Sequence, residues 1–321
     1  MKLKTILSAL AAVSLVSAGT FHPVKLGKAD VIPNAYIVEY DDQVHHLQAH
    51  NSFKAHNVDY TVRGEYTVFN GASLSIFSGH DGEALSKMNG IKHVWPVVLV
   101  KLPKEWKSNK KPTDPEVVSL HTMTGVDKVH KKYKLTGKGI KIGVIDTGID
   151  YTHPAFAASG AKVGCFGKNC RVKYGYDFVG DKYDGKNTPV PDKDPSDCQG
   201  HGTHVAGIIG ANALNIKSGP KPPQPFVGVA PEVTLGSYRV FGCKGATATD
   251  VILAAMEKAF DDKMDLINMS LGGSSAYRYN PTAVLGDKLV ARGMAVIAAA
   301  GNDGKDGVWM VTDTGLGDLG T

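Results

Sequence analysis

Long apolar runs are scarce in this chain of 321 residues, and the one that occurs lies at its start. Ile6–Val16 is shorter than the roughly 20 apolar residues that a membrane-spanning helix needs. It follows Lys2 and Lys4 and ends in Val16-Ser17-Ala18, whose small residues suit a cleavage site. We therefore predict that residues 1–18 are a secretory signal peptide, and that the secreted, extracellular remainder has no membrane segment.

A strong excess of charge of either sign is also missing. The net charge is +5, and lysine and arginine are dispersed apart from short clusters at 107–111 and 131–132. This pattern predicts a solvated surface and argues against a nucleic-acid-binding face. Hydrophobic residues make up 42% of the chain, which is ordinary for a globular protein, and the length is sufficient for two domains.

Cysteine is rare, with four residues in the whole chain. No Cys-x-x-Cys spacing occurs, which argues against a structural zinc site. An exported protein can form disulfides, and four cysteines allow three pairings. We favour Cys165 with Cys170, which closes a small loop, and Cys198 with Cys243, which joins two segments that are distant in sequence.

Residues 33–103 predict a small α+β domain. Strands are predicted at Ala35–Tyr40, Tyr60–Phe69, Ala72–Ile76 and Val94–Leu102, and helices from Asp41 or Asp42 to about His56 and over Asp81–Asn89. The order β-α-β-β-α-β is typical of ferredoxin-like domains. Residues 104–118 are polar, rich in lysine and contain prolines, which indicates an exposed linker.

From residue 119 to residue 321 strands and helices alternate. The predicted strands are Lys141–Asp146, Leu235–Phe241, Leu266–Leu271 and Met294–Ala299, and the predicted helices are His201–Ala211, Thr249–Phe260 and Pro281–Arg292. Such alternation is typical of an α/β domain with a parallel sheet and helices on both faces.

Asp146 ends the first of these strands, in the run Val144-Ile145-Asp146-Thr147-Gly148. The apolar residues before it indicate a strand buried on both faces, and ligand sites in such sheets lie at the carboxyl ends of strands. From this run alone, Asp146 is equally well interpreted as a turn residue or a helix cap.

A second motif, His201-Gly202-Thr203-His204-Val205-Ala206-Gly207, places a histidine at the start of a predicted helix. The glycines on either side of His201 allow other backbone or a ligand to approach its ring. A histidine in this position can act as a general base, and a buried aspartate beside it would fix its tautomer. Alone, the motif is also consistent with a glycine-rich turn that leads into a buried helix.

Together the two motifs resemble the subtilases, the subtilisin-like serine proteases. Asp146-Thr147-Gly148 followed by His201–Gly207 is specific to that family, and the order Asp then His agrees with it. The resemblance implies that His201 is the general base and that Asp146 orients it, as in the serine-protease triad.

Two further runs agree with this resemblance. Ala298–Asn302 resembles the family's segment that ends in the oxyanion-hole asparagine, which would be Asn302. Asn268–Gly273 resembles its substrate-binding strand, so that the candidate substrate-binding residues are Ser270, Leu271, Gly272 and Gly273.

The resemblance also implies a function for the whole protein. It implies a secreted serine-type endopeptidase with a subtilisin-like fold, made as a zymogen and hydrolysing peptide bonds in proteins or peptides. Because residues 33–103 lie between a predicted signal peptide and a subtilase-like domain, they resemble the family's prodomain. Such a prodomain assists folding and is an intramolecular inhibitor of its own protease.

The family's nucleophile motif is missing from this sequence. It is a Gly-Thr-Ser-Met-Ala-like turn well after the asparagine, whereas Asp303–Thr321 contains no serine. Ser274 and Ser275 follow a different motif and do not qualify. The chain as it stands is therefore predicted to be inactive.

Two hypotheses remain open. One is an endopeptidase zymogen of which this sequence is an incomplete part. The other is a non-enzymatic product, either an inactive pseudoprotease or a prodomain that inhibits proteases. We favour the first, because without further strands and helices the sheet would have an open edge and exposed apolar surface.

No cofactor or metal site is predicted. The loop before His201 is rich in carboxylates of the kind that bind calcium, but their spacing matches no EF-hand. Calcium-binding subtilisins have an aspartate directly after a His-Pro pair, where this chain has Ala155. We therefore interpret as solvated loop residues Asp177, Asp181, Asp184, Asp192, Asp194 and Asp197.

Four histidines, His45, His46, His50 and His56, crowd one predicted helix of the small domain. His46 and His50 are four residues apart and would be neighbours on one face. The sequence offers no third metal ligand for them, and a solvated polar face is the simplest interpretation. The sharper hypothesis is a pH trigger, in which acid charges the cluster and weakens the prodomain.

Overall fold

The computed structural model describes residues 18–23, 30–102, 121–157, 164–214, 216–222, 226–275, 279–307 and 311–318. Apart from Ala18, the predicted signal peptide lies outside these residues, and so does the predicted linker. The helices within the described ranges are too short or too polar to cross a bilayer.

The N-terminal unit is a sheet with two helices. Its elements are β1 (Thr20–Phe21), β2 (Val31–Tyr40), α1 (His46–Ala55), β3 (Tyr60–Tyr66), β4 (Gly71–Ile76), α2 (Gly82–Ser86) and β5 (Ile91–Lys101). The strand order is β1-β5-β2-β4-β3, with β1 parallel to β5 and the other pairs antiparallel. From β2 to β5 the elements run in the expected order β-α-β-β-α-β.

Several boundaries in this unit differ from the prediction, and the largest differences lie at the starts of β2 and α1. Strand β2 begins at Val31 rather than near Ala35, because a register shift around Asn34, at φ 57°, accommodates the irregular start of the strand. Helix α1 is preceded by His45 rather than by Asp41 or Asp42. The N–H of Asp41 donates to the Gly90 carbonyl, which keeps that residue paired to the sheet end.

The C-terminal unit contains α3 (Val126–Lys128), β6 (Lys141–Asp146), β7 (Val172–Asp177), α4 (His201–Gly210), β8 (Thr234–Arg239), β9 (Ala246–Ala248), α5 (Thr249–Asp261), β10 (Leu266–Met269), β11 (Ser274–Ser275), α6 (Pro281–Ala291), β12 (Ala295–Ala298) and β13 (Val311–Thr312). Its central sheet is parallel, in the order β12-β10-β6-β8-β7. Strands β7, β9, β11 and β13 and the short helix α3 are additions to the sequence prediction.

Alternation along β6 explains why helices cover both faces of this sheet. Ile142 and Val144 join the core beneath α4, which includes Ala206. Ile145 points the other way, into the core shared with α5 and α6. The predicted α/β fold, a parallel sheet with helices on both faces, is confirmed.

The two units share that second core and are joined by polar contacts. The carboxylate of Glu257 on α5 accepts hydrogen bonds from the N–H groups of Thr67, Val68 and Phe69 at 2.8–3.2 Å. These bonds replace strand pairing after Tyr66, so β3 ends there and not at Phe69 as predicted.

Candidate active site

The structure brings Asp146 and His201 together. Asp146 ends β6 and is fully buried, whereas the side chain of His201, the first residue of α4, remains 21% exposed. His201 Nδ1 lies 2.8 Å from Asp146 Oδ1 and 3.0 Å from Oδ2. In the described residues the second ring nitrogen, Nε2, has no hydrogen-bond partner, so it is available to a reacting group.

Close packing of backbone between β6 and α4 explains this proximity. A Cβ on Gly202 would lie 2.2 Å from the carbonyl oxygen of Gly148, so only glycine fits there. The Gly202 N–H donates to Thr147 Oγ1 at 2.8 Å, and the Thr147 N–H donates to Asp146 Oδ1 at 2.7 Å. The close approach of Gly202 to Gly148 and the hydrogen bond to the Thr147 hydroxyl therefore hold the start of α4 against the end of β6.

The electrostatics of the pair favour a charged imidazole. The hydrogen bond to Asp146 raises the pKa of His201, and the burial of the ring opposes this increase only in part. A histidine in this environment accepts a proton readily at Nε2, and the carboxylate beside Nδ1 stabilises the positive charge that results. The arrangement therefore suits proton transfer at Nε2.

Asp197 fixes the start of α4, and sequence reasoning missed this role. Its Oδ1 accepts hydrogen bonds from the N–H groups of Gln199 and Gly200, and its Oδ2 accepts from the N–H and the hydroxyl of Thr203. These bonds satisfy N–H groups that a helix start otherwise leaves without partners. The position of an aspartate four residues before His201 was the available signal.

Strand β10, which leads into the predicted substrate-binding residues, ends two residues earlier than the predicted Leu271. β10 ends at Met269, and the following residues pair with β13 and the turn after it. Gly273 makes two hydrogen bonds with Asp313. The Gly273 N–H donates to the Asp313 side-chain carboxylate at 2.9 Å, and the Gly273 carbonyl accepts from the Asp313 N–H at 2.9 Å. Leu271 is buried, while Ser270, Gly272 and Gly273 are half-buried.

Asn302 is exposed just beyond the carboxyl end of β12. Asp146 ends β6 and Ser270 follows β10, which lies between β6 and β12 in the sheet. The candidate residues therefore gather at one edge, beyond the carboxyl ends of three adjacent parallel strands. This is where ligand sites form in open α/β sheets.

Comparison with known proteins is consistent with this arrangement. A family model described as Peptidase S8, the subtilase family, matches residues 137–316, which is more than half of the chain. The chain belongs to the subtilase family. The minor extracellular protease Vpr of Bacillus subtilis (strain 168) is 37% identical over 180 residues, covering 56% of this chain and 20% of that relative.

Two other similar proteins cover different shares of this subtilase chain. Subtilisin E of Bacillus subtilis (strain 168) is 36% identical over 172 residues, which are 54% of this chain and 36% of that relative. Fervidolysin from Fervidobacterium pennivorans, described as a keratinolytic enzyme related to subtilisin, has a similar fold. Its crystal structure gives a TM-score of 0.58 at 20% identity, with 89% of this chain and 42% of that chain covered. The chain spans 20% to 36% of the length of the two Bacillus relatives.

Both predicted disulfides are present in this subtilase chain, Cys165–Cys170 and Cys198–Cys243. The second bond joins the loop before His201 to the segment before β9. Arg239, which is almost fully buried, places Nη2 3.1 Å from Cys198 Sγ and donates through Nη1 to the Ser196 carbonyl at 3.0 Å.

The carboxylates of the acidic loop have hydrogen-bond or ion-pair partners within the chain. Asp177 and Asp181 pair with Arg239 at 3.2 and 2.9 Å. The remaining carboxylates accept N–H groups of their own loop, as Asn and Asp side chains do in turns. These are Asp184, Asp192, Asp194 and Asp197.

Proposed function

We propose that this chain is part of a secreted serine endopeptidase that is made as a zymogen and hydrolyses peptide bonds in proteins. The observation that carries the proposal is the buried Asp146 carboxylate hydrogen-bonded to His201 Nδ1, with Nε2 directed away from it. Membership of the subtilase family supports the same reaction.

The chemistry follows from the two ring nitrogens of His201. In the whole enzyme, a serine hydroxyl oxygen bonds to the substrate carbonyl carbon while Nε2 takes the hydroxyl proton. Asp146 stabilises the imidazolium that results, and the proton then passes to the departing amine. Water hydrolyses the acyl-enzyme by the same route in reverse. The Asn302 side-chain amide is the candidate donor to the oxyanion; loss of such a donor lowers turnover by about 100- to 1,000-fold.

The N-terminal unit is proposed to be the inhibitory prodomain. The end of β5 pairs antiparallel with β9, with Leu99 opposite Ala248 and Lys101 opposite Ala246. The Leu102 N–H continues the pairing by donating to the Gly245 carbonyl at 3.2 Å. The end of β5 is an extended segment that adds a strand beside β9 of the catalytic unit, as an extended peptide substrate would. This pairing supports the proposal that the N-terminal unit inhibits the protease.

Secretion is proposed on independent grounds. Residues 1–18 have the composition of a signal peptide, the chain contains two disulfides, and the named relatives include an extracellular protease.

Fluorophosphonate labelling tests the proposal. The 321-residue chain should not label, because it has no activated serine, whereas the product of the complete reading frame should label at one serine and cleave peptide amides. His201→Ala in that product should abolish both reactions, and His204→Ala, an exposed change in the same motif, should not. Labelling that survives His201→Ala would contradict the assigned base.

The second candidate is a non-enzymatic protein that inhibits proteases, and the pairing of β5 with β9 favours it. A reading frame that stops after Thr321, together with tight inhibition of a subtilisin by the purified chain, would select this alternative.

A further inference from the structure

A cavity of about 560 Å³ lies beside the loop that precedes α4. Cys198, which is bonded to Cys243, is one of the residues that line it, and Cys243 is not. Cys198 is exposed, whereas Cys243 is half-buried behind it in the disulfide. A small molecule in this cavity therefore meets the Cys198 sulfur first.

The surroundings of the two sulfurs suit exchange with a thiol. In such an exchange a thiolate attacks one sulfur and the other sulfur leaves as a thiolate, which a neighbouring positive charge stabilises. The buried guanidinium of Arg239 places Nη2 3.1 Å from Cys198 Sγ and 3.7 Å from Cys243 Sγ. Asp177 and Asp181 offset part of this charge, but both pair with Nη1, so Nη2 stays directed at the sulfurs.

The charge of the cavity indicates which thiols enter it. Five aspartates of the acidic loop line the cavity, against two cationic side chains, Lys182 and Arg239. A cleft with an excess of one sign of charge concentrates ligands of the opposite sign and repels those of its own. The cavity should therefore admit a thiol that carries an amine more readily than one that carries an acid group.

The bond joins two segments with different tasks. Cys198 follows Asp197, which holds the start of α4 through its hydrogen bonds. Cys243 lies two residues before Gly245, whose carbonyl accepts the Leu102 N–H at the end of the N-terminal unit. Cleavage of the bond separates the segment that receives the N-terminal unit from the loop that precedes α4.

We propose that the Cys198–Cys243 bond is a thiol-exchange site, that its cavity selects small thiols of positive charge, and that exchange loosens the pairing at Gly245. The incoming thiolate bonds to Cys198 Sγ, the Cys198–Cys243 bond breaks, and its electron pair leaves on Cys243 Sγ beside Arg239. A second thiolate then attacks the small molecule's sulfur in this mixed disulfide, and Cys198 leaves as a thiolate. Two small thiols thus supply two electrons and end as one small disulfide.

Three small thiols with the same two-carbon chain test the selection. They are cysteamine, 2-mercaptoethanol and 2-mercaptoethanesulfonate, whose groups beside the thiol are positive, neutral and negative. The 321-residue chain is treated with each at low ionic strength and quenched with acid. Alkylation of the freed cysteines and peptide mapping then give the reduction rate at each disulfide, expressed per concentration of thiolate because the three thiols ionise differently.

Cys165–Cys170 is the internal control, because the residues between its cysteines include Lys168 and no acidic residue. We expect the rate at Cys198–Cys243 to fall by about 10-fold or more from cysteamine to the sulfonate, since the field of a charged cleft changes association rates by 10- to 1,000-fold. The control bond should not show this order. Equal dependence on thiol charge at the two bonds, or none at Cys198–Cys243, would overturn the selection.

Asp181→Asn tests the source of the selection. The Asp181 side chain is 73% exposed, so the change leaves the fold intact, and it should reduce the preference for cysteamine. Asp261→Asn, an exposed change at the end of α5 and away from the cavity, should retain the full preference. Identical preferences in the two variants would show that the carboxylates of the cavity do not select the thiol.

Amide hydrogen exchange at Leu102 tests the consequence for the N-terminal unit. It should be faster in the chain with Cys198 and Cys243 reduced and alkylated than in the oxidised chain. Unchanged exchange at Leu102 would mean that the bond does not support the pairing at Gly245. These measurements need no proteolysis, so their failure and a failure of the proposed endopeptidase function are separate results.

Discussion

The charge state of His201 depends on one buried carboxylate. The Asp146 oxygens lie 2.8 and 3.0 Å from Nδ1, and this hydrogen bond is the largest influence on the raised pKa of His201. A raised pKa of His201 in the folded state means that protonation of this ring stabilises the fold below the unfolded histidine value near 6.5. That contribution is lost as pH rises through the higher folded value.

Asp146→Asn should therefore lower the pKa of His201, because the neutral amide no longer stabilises the imidazolium. The measurement is an NMR titration of the His201 ring protons in the 321-residue chain. Asp150→Asn is the control, since Asp150 bonds the nearby Thr152 and not His201. An unchanged titration of His201 in Asp146→Asn would contradict the geometry described above.

The glycines of α4 allow a direct test of the close contact between the two motifs. Gly202→Ala should destabilise the chain by about 1–3 kcal/mol, since its Cβ would lie 2.2 Å from the Gly148 carbonyl oxygen. Gly207→Ala, on the same helix with nothing within 4 Å of the new Cβ, should stabilise it by up to about 1 kcal/mol. Urea denaturation measures both, and equal effects would refute the contact.

At the scale of elements, β1 joins the two units through His22. His22 Nε2 lies 3.0 Å from His93 Nδ1, and the His22 ring stacks on Trp95 with centroids 5.1 Å apart. The ring of Tyr279, from the C-terminal unit, lies 6.1 Å away on a similar plane. The pH trigger proposed for the histidines of α1 stays a prediction. The His22–His93 pair, at the contact between the units, is a second candidate for a pH-sensitive contact.

Acid should weaken this contact. Burial, with His93 as a second cause, lowers the pKa of His22 to about 4, and burial likewise lowers the pKa of His93. Lowered values mean that stability is present above the unfolded pKa near 6.5 and is lost as pH falls from there towards 4. The other charges that influence His93 are Glu39, Asp41, Lys92 and Lys288.

We therefore expect the melting temperature to fall between pH 7 and pH 5, and to fall less in His22→Gln. His80→Gln, which alters a histidine bonded only to Ser78, should retain the full dependence. If the melting temperature of His22→Gln depends on pH as that of the unaltered chain does, the His22–His93 pair is not the cause of the acid sensitivity.

Elements differ in how far the sequence predicts them. Helices α4, α5 and α6 were predicted to within a residue, because long apolar periodicity and clear start signals define them. Strand β1 has two residues and β9 has three, too short for alternation to be recognised. Both strands form because they pair with β5 through backbone hydrogen bonds. Pairing between segments distant in sequence leaves no hydrophobic pattern in the short strand itself.

At the scale of the whole molecule, the candidate site was predictable in part. Asp146 and His201 lie in motifs that are specific in sequence, and the fold brings them together. Asp197 and Arg239 were not predicted, since their roles depend on which N–H groups and sulfur atoms the folded loop presents. The contact between the units depends on pairs up to 249 residues apart in sequence, such as Lys288 with Glu39 at 2.7 Å.

Glu257 is the residue through which this long-range contact is best tested. It lies on α5, is 8% exposed, and accepts three N–H groups from Thr67–Phe69 of the N-terminal unit. Glu257→Gln replaces one acceptor oxygen with an NH2 group that cannot accept, so a buried donor loses its partner. The expected cost is about 1–3 kcal/mol in the free energy of unfolding.

Urea denaturation followed by circular dichroism gives this free energy, and limited proteolysis reports whether the N-terminal unit loosens first. Asp261→Asn, an exposed carboxylate at the end of the same helix, should change neither. Because Glu257 joins the two units and not the interior of either one, its loss should lower the cooperativity of unfolding as well as the midpoint. A single transition of unchanged slope and midpoint would mean that Glu257 does not contribute to the contact between the units.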